Sequence, residues 1–286
     1  MAALISQRMA AVISQRMAAV TGQRMAAVTS RMIKDDGTPD SVWLPWLALQ
    51  SIAPVEMRSL CADDCRLVVV APHPDDEVLS CGGLLAMRAA GGLQSLVIAV
   101  TDGEASHDGI GRDLGLGNSS ADRRNPLGMQ RQMESSAGLQ MLGLRPSTDV
   151  HRLGIADGQA ARCEQAITEL LLKVIKPSDV LVTTWQFDGH PDHEAAGRAA
   201  SRAASAAGCR LVQAPVWMWH WAEPNDARVP WHKLSALALP GTAVEAKQRA
   251  LQCHRSQLEA RSGQHGPVLM PSIVQRASRA QEYFFE

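Results

Sequence analysis

Aromatic residues are scarce in this chain: 286 residues include seven Trp, three Phe and one Tyr. The core must therefore be built mainly from Ala, Leu and Val. No apolar run approaches the ~18 residues of a membrane-spanning helix, and the longest runs read only "LVVVAP" and "SLVIAV". Neither sign of charge is in excess. With 28 basic and 29 acidic residues and a pI near 6.8, there is no electrostatic reason to expect a nucleic-acid or membrane-surface partner. The six cysteines lack the spacing of a disulfide framework, and Cys61 and Cys65 lack the second pair that a zinc knuckle requires. The expectation is a soluble, cytoplasmic globular protein with reduced thiols.

Acids are missing altogether from residues 1–34, which hold Arg8, Arg16, Arg24, Arg31 and Lys34. This region is a tandem repeat, "MAALISQR", "MAAVISQR", "MAAVTGQR" and a shortened "MAAVTSR". An Arg-bearing, acid-free start can belong to a transit peptide. The plainer expectation is a dispensable tail, or a start placed upstream of Met25 or Met32, because an eight-residue period drifts against the helical repeat and sustains no apolar stripe. Residues 1–39 thus read as tail and linker, and 40–286 as one domain opening on the apolar lead-in "VWLPWLALQSI".

From residue 66 strand and helix signals alternate. Strand "RLVVVA" precedes a helical "GGLLAMRAAGG", and strand "QSLVIAVTDG" precedes a polar loop at 103–126 and the helix "MQRQMESSAGLQMLG". Strand "VHRLGI" leads to helix "ARCEQAITELLLKVI", then strand "DVLVTTW" to helix "HEAAGRAASRAASAAG". A strand over "RLVQAPVWMWHW", a short "LSALALP" and a helix at about 243–259 follow. Apolar strands alternating with amphipathic helices predict an α/β fold, a Rossmann-like, mostly parallel sheet with helices on both faces. Ligands of such sheets sit outside the carboxyl ends of the strands.

Strand "RLVVVA" ends in "PHPDDE", which places His73, Asp75, Asp76 and Glu77 at one such end. A dinucleotide-binding turn would need G-x-G-x-x-G here, and acids would repel a pyrophosphate. Buried carboxylates packed together repel one another, and a bound divalent cation offsets that repulsion. His73 and Asp76, three apart on a tight turn, can face one ion. A third ligand would come from "WQFDGHPDHEAAG" after strand "DVLVTTW", which holds His190, Asp192 and His193. The plainer alternative is helix capping by Asp with surface histidines.

"APHPDDEVLSCGG", "VTDGEASH", "RQMESSAGLQMLGL", "LGIADG" and "DGHPDH", in that order, resemble the PIG-L/LmbE-like family of metal-dependent de-N-acetylases over roughly residues 66–260. The resemblance implies His73, Asp76 and His193 as metal ligands for Zn²⁺, with Fe²⁺ accepted by the same set. It implies Asp75 as general base, His190 as the group polarising the carbonyl or steadying the oxyanion, and Asp192 as holding the His190 ring. Arg131 and Asp157 match positions that contact sugar hydroxyls in relatives, and Glu104 matches an acid near the site. The implied activity is removal of an N-acetyl group from an N-acetylglucosamine-type conjugate, a small-molecule partner. The competing readings are hydrolysis of another small amide or acyl group, and non-catalytic metal or sugar binding. Asp188 stands where some relatives carry Tyr. In "PVWMWHWAEP", His220 is a candidate pocket residue among Trp217, Trp219 and Trp221, with aromatic core packing as the alternative. The stretch His254 to Gln257 resembles a family H-x-[ST]-Q element to which no chemistry is assigned.

Overall fold

Two of the predicted strand ends, those after residues 71 and 184, lie side by side at the middle of one eight-stranded sheet. The computed structural model describes residues 31, 33, 36–106, 125–260 and 266–286. The repeat and most of the expected 103–126 loop lie outside the described residues. Residues 33–286 group as one unit.

The chain runs through helix α1 (Asp40–Leu49), β1 (Ala53–Val55), β2 (Leu67–Ala71), α2 (Asp76–Ala90), β3 (Ser95–Ala99), α3 (Pro126–Met141) and β4 (Val150–Arg152). It continues through α4 (Glu164–Leu172), β5 (Val180–Thr184), α5 (Pro191–Ala207), β6 (Arg210–Ala214), β7 (Leu234–Ala238), α6 (Gly241–Gln252), α7 (Pro271–Ala277) and β8 (Gln281–Phe285), with single helical turns between. The strand order is β1-β7-β8-β6-β5-β2-β3-β4, and only β8 runs antiparallel to its neighbours. The chain leaves β2 toward β3 and β4, then crosses back to lay β5 on the other side of β2. That reversal opens a crevice between the carboxyl ends of β2 and β5. The register, Val70 opposite Thr183, holds the two ends level.

Side-chain alternation divides β2 between two cores, as the pleat requires. Leu67, Val69 and Ala71 pack with Leu84, Leu85, Leu251 and Phe284 on one face. Val68 and Val70 pack with Ile167, Leu171 and the alanines of α5 on the other. All the Trp residues except Trp217 belong to a third cluster that includes α1. Trp43 is fully buried and donates from Nε1 to the Trp219 carbonyl at 2.8 Å. All six cysteines are free. Among the described residues no helix is long and apolar enough to cross a membrane.

Three elements differ from the sequence expectation. Helix α2 starts at Asp76 rather than Gly82 and breaks at Cys81 (φ −151°, ψ 30°), so the acids form its first turn. The strand expected over "RLVQAPVWMWHW" ends at Ala214 and gives way to a helical turn, Met218–Trp221. Pro215 has no N–H for the ladder, and the next three N–H groups go to a single carboxylate, that of Asp188. The helix expected to 259 stops at Gln252, and the chain returns through α7 to insert β8 between β6 and β7.

Candidate active site

The turn after β2 is fastened from several sides. His73 N donates to Asp76 Oδ2 at 3.0 Å, and Thr101 Oγ1 donates to the Pro72 carbonyl at 2.9 Å. Asp75 sits at φ +124°, a region L side chains rarely adopt, so its surroundings must hold it there. Arg131 of α3 donates to the Pro74 carbonyl (2.7 Å) and to Asp75 Oδ2 (3.2 Å), and Asp75 N donates to Glu77 Oε2 (3.0 Å). Arg131 also donates to the Gly103 carbonyl at 2.7 Å. Residue 103 favours glycine, because its backbone sits at φ +68° and a Cβ there would lie 2.1 Å from the guanidinium. Arg131 thus uses these donors within the protein, and it also lines the cleft over the site.

Asp76 Oδ2 lies 3.1 Å from both His73 Nδ1 and His193 Nε2. A tetrahedral zinc site with ligand distances of 2.0–2.1 Å has edges of about 3.3 Å, so each of the two imidazole nitrogens stands at a ligand-to-ligand distance from the Asp76 oxygen. Both rings are oriented from behind. His193 Nδ1 is 2.8 Å from Asp188 Oδ2, and Asp188 also accepts from the N–H groups of Val216, Trp217 and Met218 at 2.9 Å each. His73 Nε2 faces Asp157 Oδ1 at 3.2 Å and Asp192 Oδ2 at 3.3 Å. Carboxylates on the outer nitrogens favour, once a cation displaces the inner protons, the tautomers that turn Nδ1 of His73 and Nε2 of His193 toward it as ligands. Potential ligand atoms of His73, His190 and His193 also lie within 4.8 Å of one another, as do those of His73, Asp157 and Asp192.

The charges fit that arrangement. Burial opposes ionisation of Asp76, but the His193 and His73 imidazoles hold its carboxyl far below the usual range. Burial likewise opposes charge on His193, yet Asp76 and Asp188 draw its pKa up to about 9. Asp157 is held at about 2 by His73 despite its burial. These paired charges are protons on imidazoles where a divalent cation would take their place. Asp75 departs from the pattern. Burial pushes its carboxyl up to about 7; Arg131 pulls it down, while Asp76 and Glu77 push it up. His190 is pushed down to about 3 by burial and by the two neighbouring imidazoles, and stays neutral.

A cleft of about 360 Å³ opens over these groups, lined by His73, Asp75, Asp76, Arg131, Asp157, His190 and His193 among others. Glu104 does not line it and acts from behind, accepting from Asp157 N at 2.9 Å. Asp192 does not hold the His190 ring with its side chain. Its carboxylate accepts from Gly158 N (2.8 Å) and Ala160 N (3.2 Å), and only its backbone N–H meets His190 Nδ1, at 3.3 Å. His220 lies away from the cleft, with Nδ1 3.2 Å from Arg276 and its ring against Gly37. Trp217 does reach the cleft wall, with Ser106, Gln257, Val268 and Leu269. Gln257 is braced by Ser256, whose N–H and hydroxyl donate to the Glu134 carboxylate at 2.9 and 2.6 Å. Sequence reasoning missed Asp188 as the brace of His193, and its one signal was an acid five residues before a candidate ligand.

The chain is similar to known proteins in sequence and in fold. The family profile described as "PIG-L: GlcNAc-PI de-N-acetylase" matches residues 68–204. The 1D-myo-inositol 2-acetamido-2-deoxy-alpha-D-glucopyranoside deacetylase of Streptomyces avermitilis is 30% identical over 213 residues, 63% of this chain and 68% of that protein. The like-named enzyme of Corynebacterium glutamicum (strain R) is 35% identical over 150 residues, 45% of this chain and 49% of its own length. The chain thus spans from about half to two thirds of these relatives. In fold, it resembles a deacetylase of the teicoplanin biosynthesis pathway (TM-score 0.55, 18% identity, 77% of this chain and 96% of the other). It also resembles the A40926 pseudoaglycone deacetylase (TM-score 0.54, 19% identity, 78% and 97%).

Proposed function

The chain belongs to the PIG-L family of de-N-acetylases, and from that premise we propose that it hydrolyses the acetamide of an N-acetylglucosamine-type conjugate, releasing acetate and a free amine. The observation that carries this reading is Asp75, a buried carboxylate on the cleft wall next to Asp76 and held by Arg131. A site that only bound a metal or a sugar would have no use for a base fixed there at the expense of a strained backbone.

His73, Asp76 and His193 are the residues that would hold a divalent cation, zinc foremost and Fe²⁺ next, since the same N/O set accepts both. When bound, the cation supplies Lewis acidity, polarising the acetamide carbonyl and bringing the pKa of a water towards ~7. Asp75 accepts the proton that water loses on attacking the carbonyl carbon, then delivers it to the sugar nitrogen as the C–N bond breaks. Because His190 Nδ1 accepts from Asp192 N, the neutral ring carries its proton on Nε2, and it donates from there to the oxyanion of the tetrahedral intermediate. Arg131 positions Asp75 and favours its ionised form. Asp157 and Asp192 orient His73, and Trp217 offers an apolar face to the sugar.

Acetate release from a panel of N-acetylated glucosaminides and simple acetamides tests the reading. Turnover of at least one glucosaminide is expected, abolished by a chelator and restored by Zn²⁺. Turnover of the simple amides alone would make it a different amide hydrolase, and metal binding without turnover of any panel member would make it a binding protein.

A further inference from the structure

The break in α2 is held by a buried ion pair that reaches it from the far end of the chain. Gly83 N and Leu84 N, whose helical acceptors would be the carbonyls of Leu79 and Ser80, donate to Glu282 Oε1 at 2.7 Å and Oε2 at 2.9 Å. Glu282 belongs to β8, the one antiparallel strand. Lys247 of α6 donates from Nζ to Glu282 Oε1 at 2.7 Å and to the Leu79 carbonyl at 3.3 Å. Lys247 and Glu282 thus occupy donors and an acceptor on both sides of the non-helical Cys81. Both side chains are almost wholly buried, 4% and 1% exposed, so an unmatched polar group there would be costly. The packing leaves no slack, since a Cβ on Gly83 would fall 2.4 Å from Leu239 Cδ1 and one on Gly82 would fall 3.2 Å from Lys247 Cγ.

The break separates one turn, carrying Asp76, Glu77 and the cleft-lining Leu79, from the rest of the helix. We infer that Lys247 and Glu282 are positioning residues for the metal ligand Asp76, setting the angle at which that turn presents its carboxylate to His73 and His193. The inference rests on the metal-centre reading above. Neither residue touches the cleft chemistry itself. They act through the backbone of Leu79, Gly83 and Leu84.

The test measures Zn²⁺ affinity of the full chain, stripped of metal and titrated against a fluorescent chelator, alongside thermal midpoints. Glu282→Gln, which keeps one carbonyl oxygen but loses the ion pair, should weaken Zn²⁺ binding by about 10–100-fold, the usual effect of losing a group that orients a ligand. Lys247→Met, which leaves both acceptors of Glu282 in place, should weaken it in the same direction and carries the test if Glu282→Gln does not fold. Leu171→Ala, in the core on the opposite face of the sheet, should lower the thermal midpoint without moving Zn²⁺ affinity, which separates positioning from general destabilisation. Asp76→Ala should lose Zn²⁺ outright. Wild-type affinity in Glu282→Gln or Lys247→Met, with Asp76→Ala metal-free, would overturn the inference, as would an equal loss of affinity in Leu171→Ala. Tight Zn²⁺ binding by Asp76→Ala would overturn the metal-centre reading instead.

Discussion

After β2 the chain turns through Asp75 at φ +124° into a helix that breaks at Cys81, whereas after β5 it enters α5 through Gly189 and His190 and runs unbroken to Ala207. Each strand end supplies residues to the proposed metal centre, but the two are stabilised differently. The β2 turn depends on remote residues: Arg131 of α3 on Asp75, Ser135 of α3 on Glu77, and Lys247 with Glu282 on the helix break. At the β5 end the His193 ring is braced by Asp188, five residues before it and itself held by the N–H groups of Val216, Trp217 and Met218, and α5 is seated closely on the sheet. A regular helix resting on small residues aims a ligand by packing. A broken one needs polar partners at the break, because its freed backbone groups must be satisfied.

The comparison is broken most severely at Asp188. Asp188→Asn keeps the shape but leaves an amide where His193 Nδ1 and three backbone N–H groups converge. Zn²⁺ affinity should fall by about 10–100-fold, measured by chelator competition, and unchanged affinity would show that His193 is aimed by packing alone. A smaller effect is expected at Gly197, where a Cβ would meet the Thr184 carbonyl at 2.7 Å and Gln186 N at 2.9 Å. Gly197→Ala should cost about 1–3 kcal/mol by overpacking, read from denaturant unfolding. It should weaken Zn²⁺ binding in proportion to how far α5 is pushed from β5. The smallest effect belongs to residues 1–31, whose repeat contains no His, Cys, Asp or Glu and so no ligand for the centre. Removing them should leave metal content and turnover unchanged, and an inactive truncation would assign the repeat a role.

The two regions also differed in how far they could be read from sequence. His73, Asp76, His190 and His193 were picked out because polar residues at the end of an apolar strand are conspicuous, and the alternation of strands and helices put both clusters at carboxyl ends of a parallel sheet; that β2 and β5 are neighbours came only from the structure. The break in α2 was not legible. The helix was expected to begin only at Gly82, beyond the break, and the donor and acceptor that stabilise the break, Lys247 and Glu282, lie on α6 and β8, far away in the chain. The antiparallel β8 was missed because "QEYFF" is short and follows a segment with no strong period. Asp192 was assigned to the His190 ring by the family resemblance and His220 to the pocket by its place in the Trp-rich stretch, whereas an α5 first turn points the Asp192 carboxylate at Gly158 and Ala160, and the Met218–Trp221 turn directs His220 toward Arg276.

The central claim is that Asp75 and Asp76, adjacent in the chain, divide the work, one moving a proton and the other holding the cation. The most direct measurement is bound metal and acetate release together in Asp75→Asn and Asp76→Ala. Asp75→Asn should retain its metal while turnover falls by about 10²–10⁴, the contribution of a positioned general base, and Asp76→Ala should lose metal and turnover together. A metal-free Asp75→Asn beside a metal-loaded Asp76→Ala would reverse the two assignments, and full acetate release by both variants would remove the "PHPDDE" turn from the active site altogether.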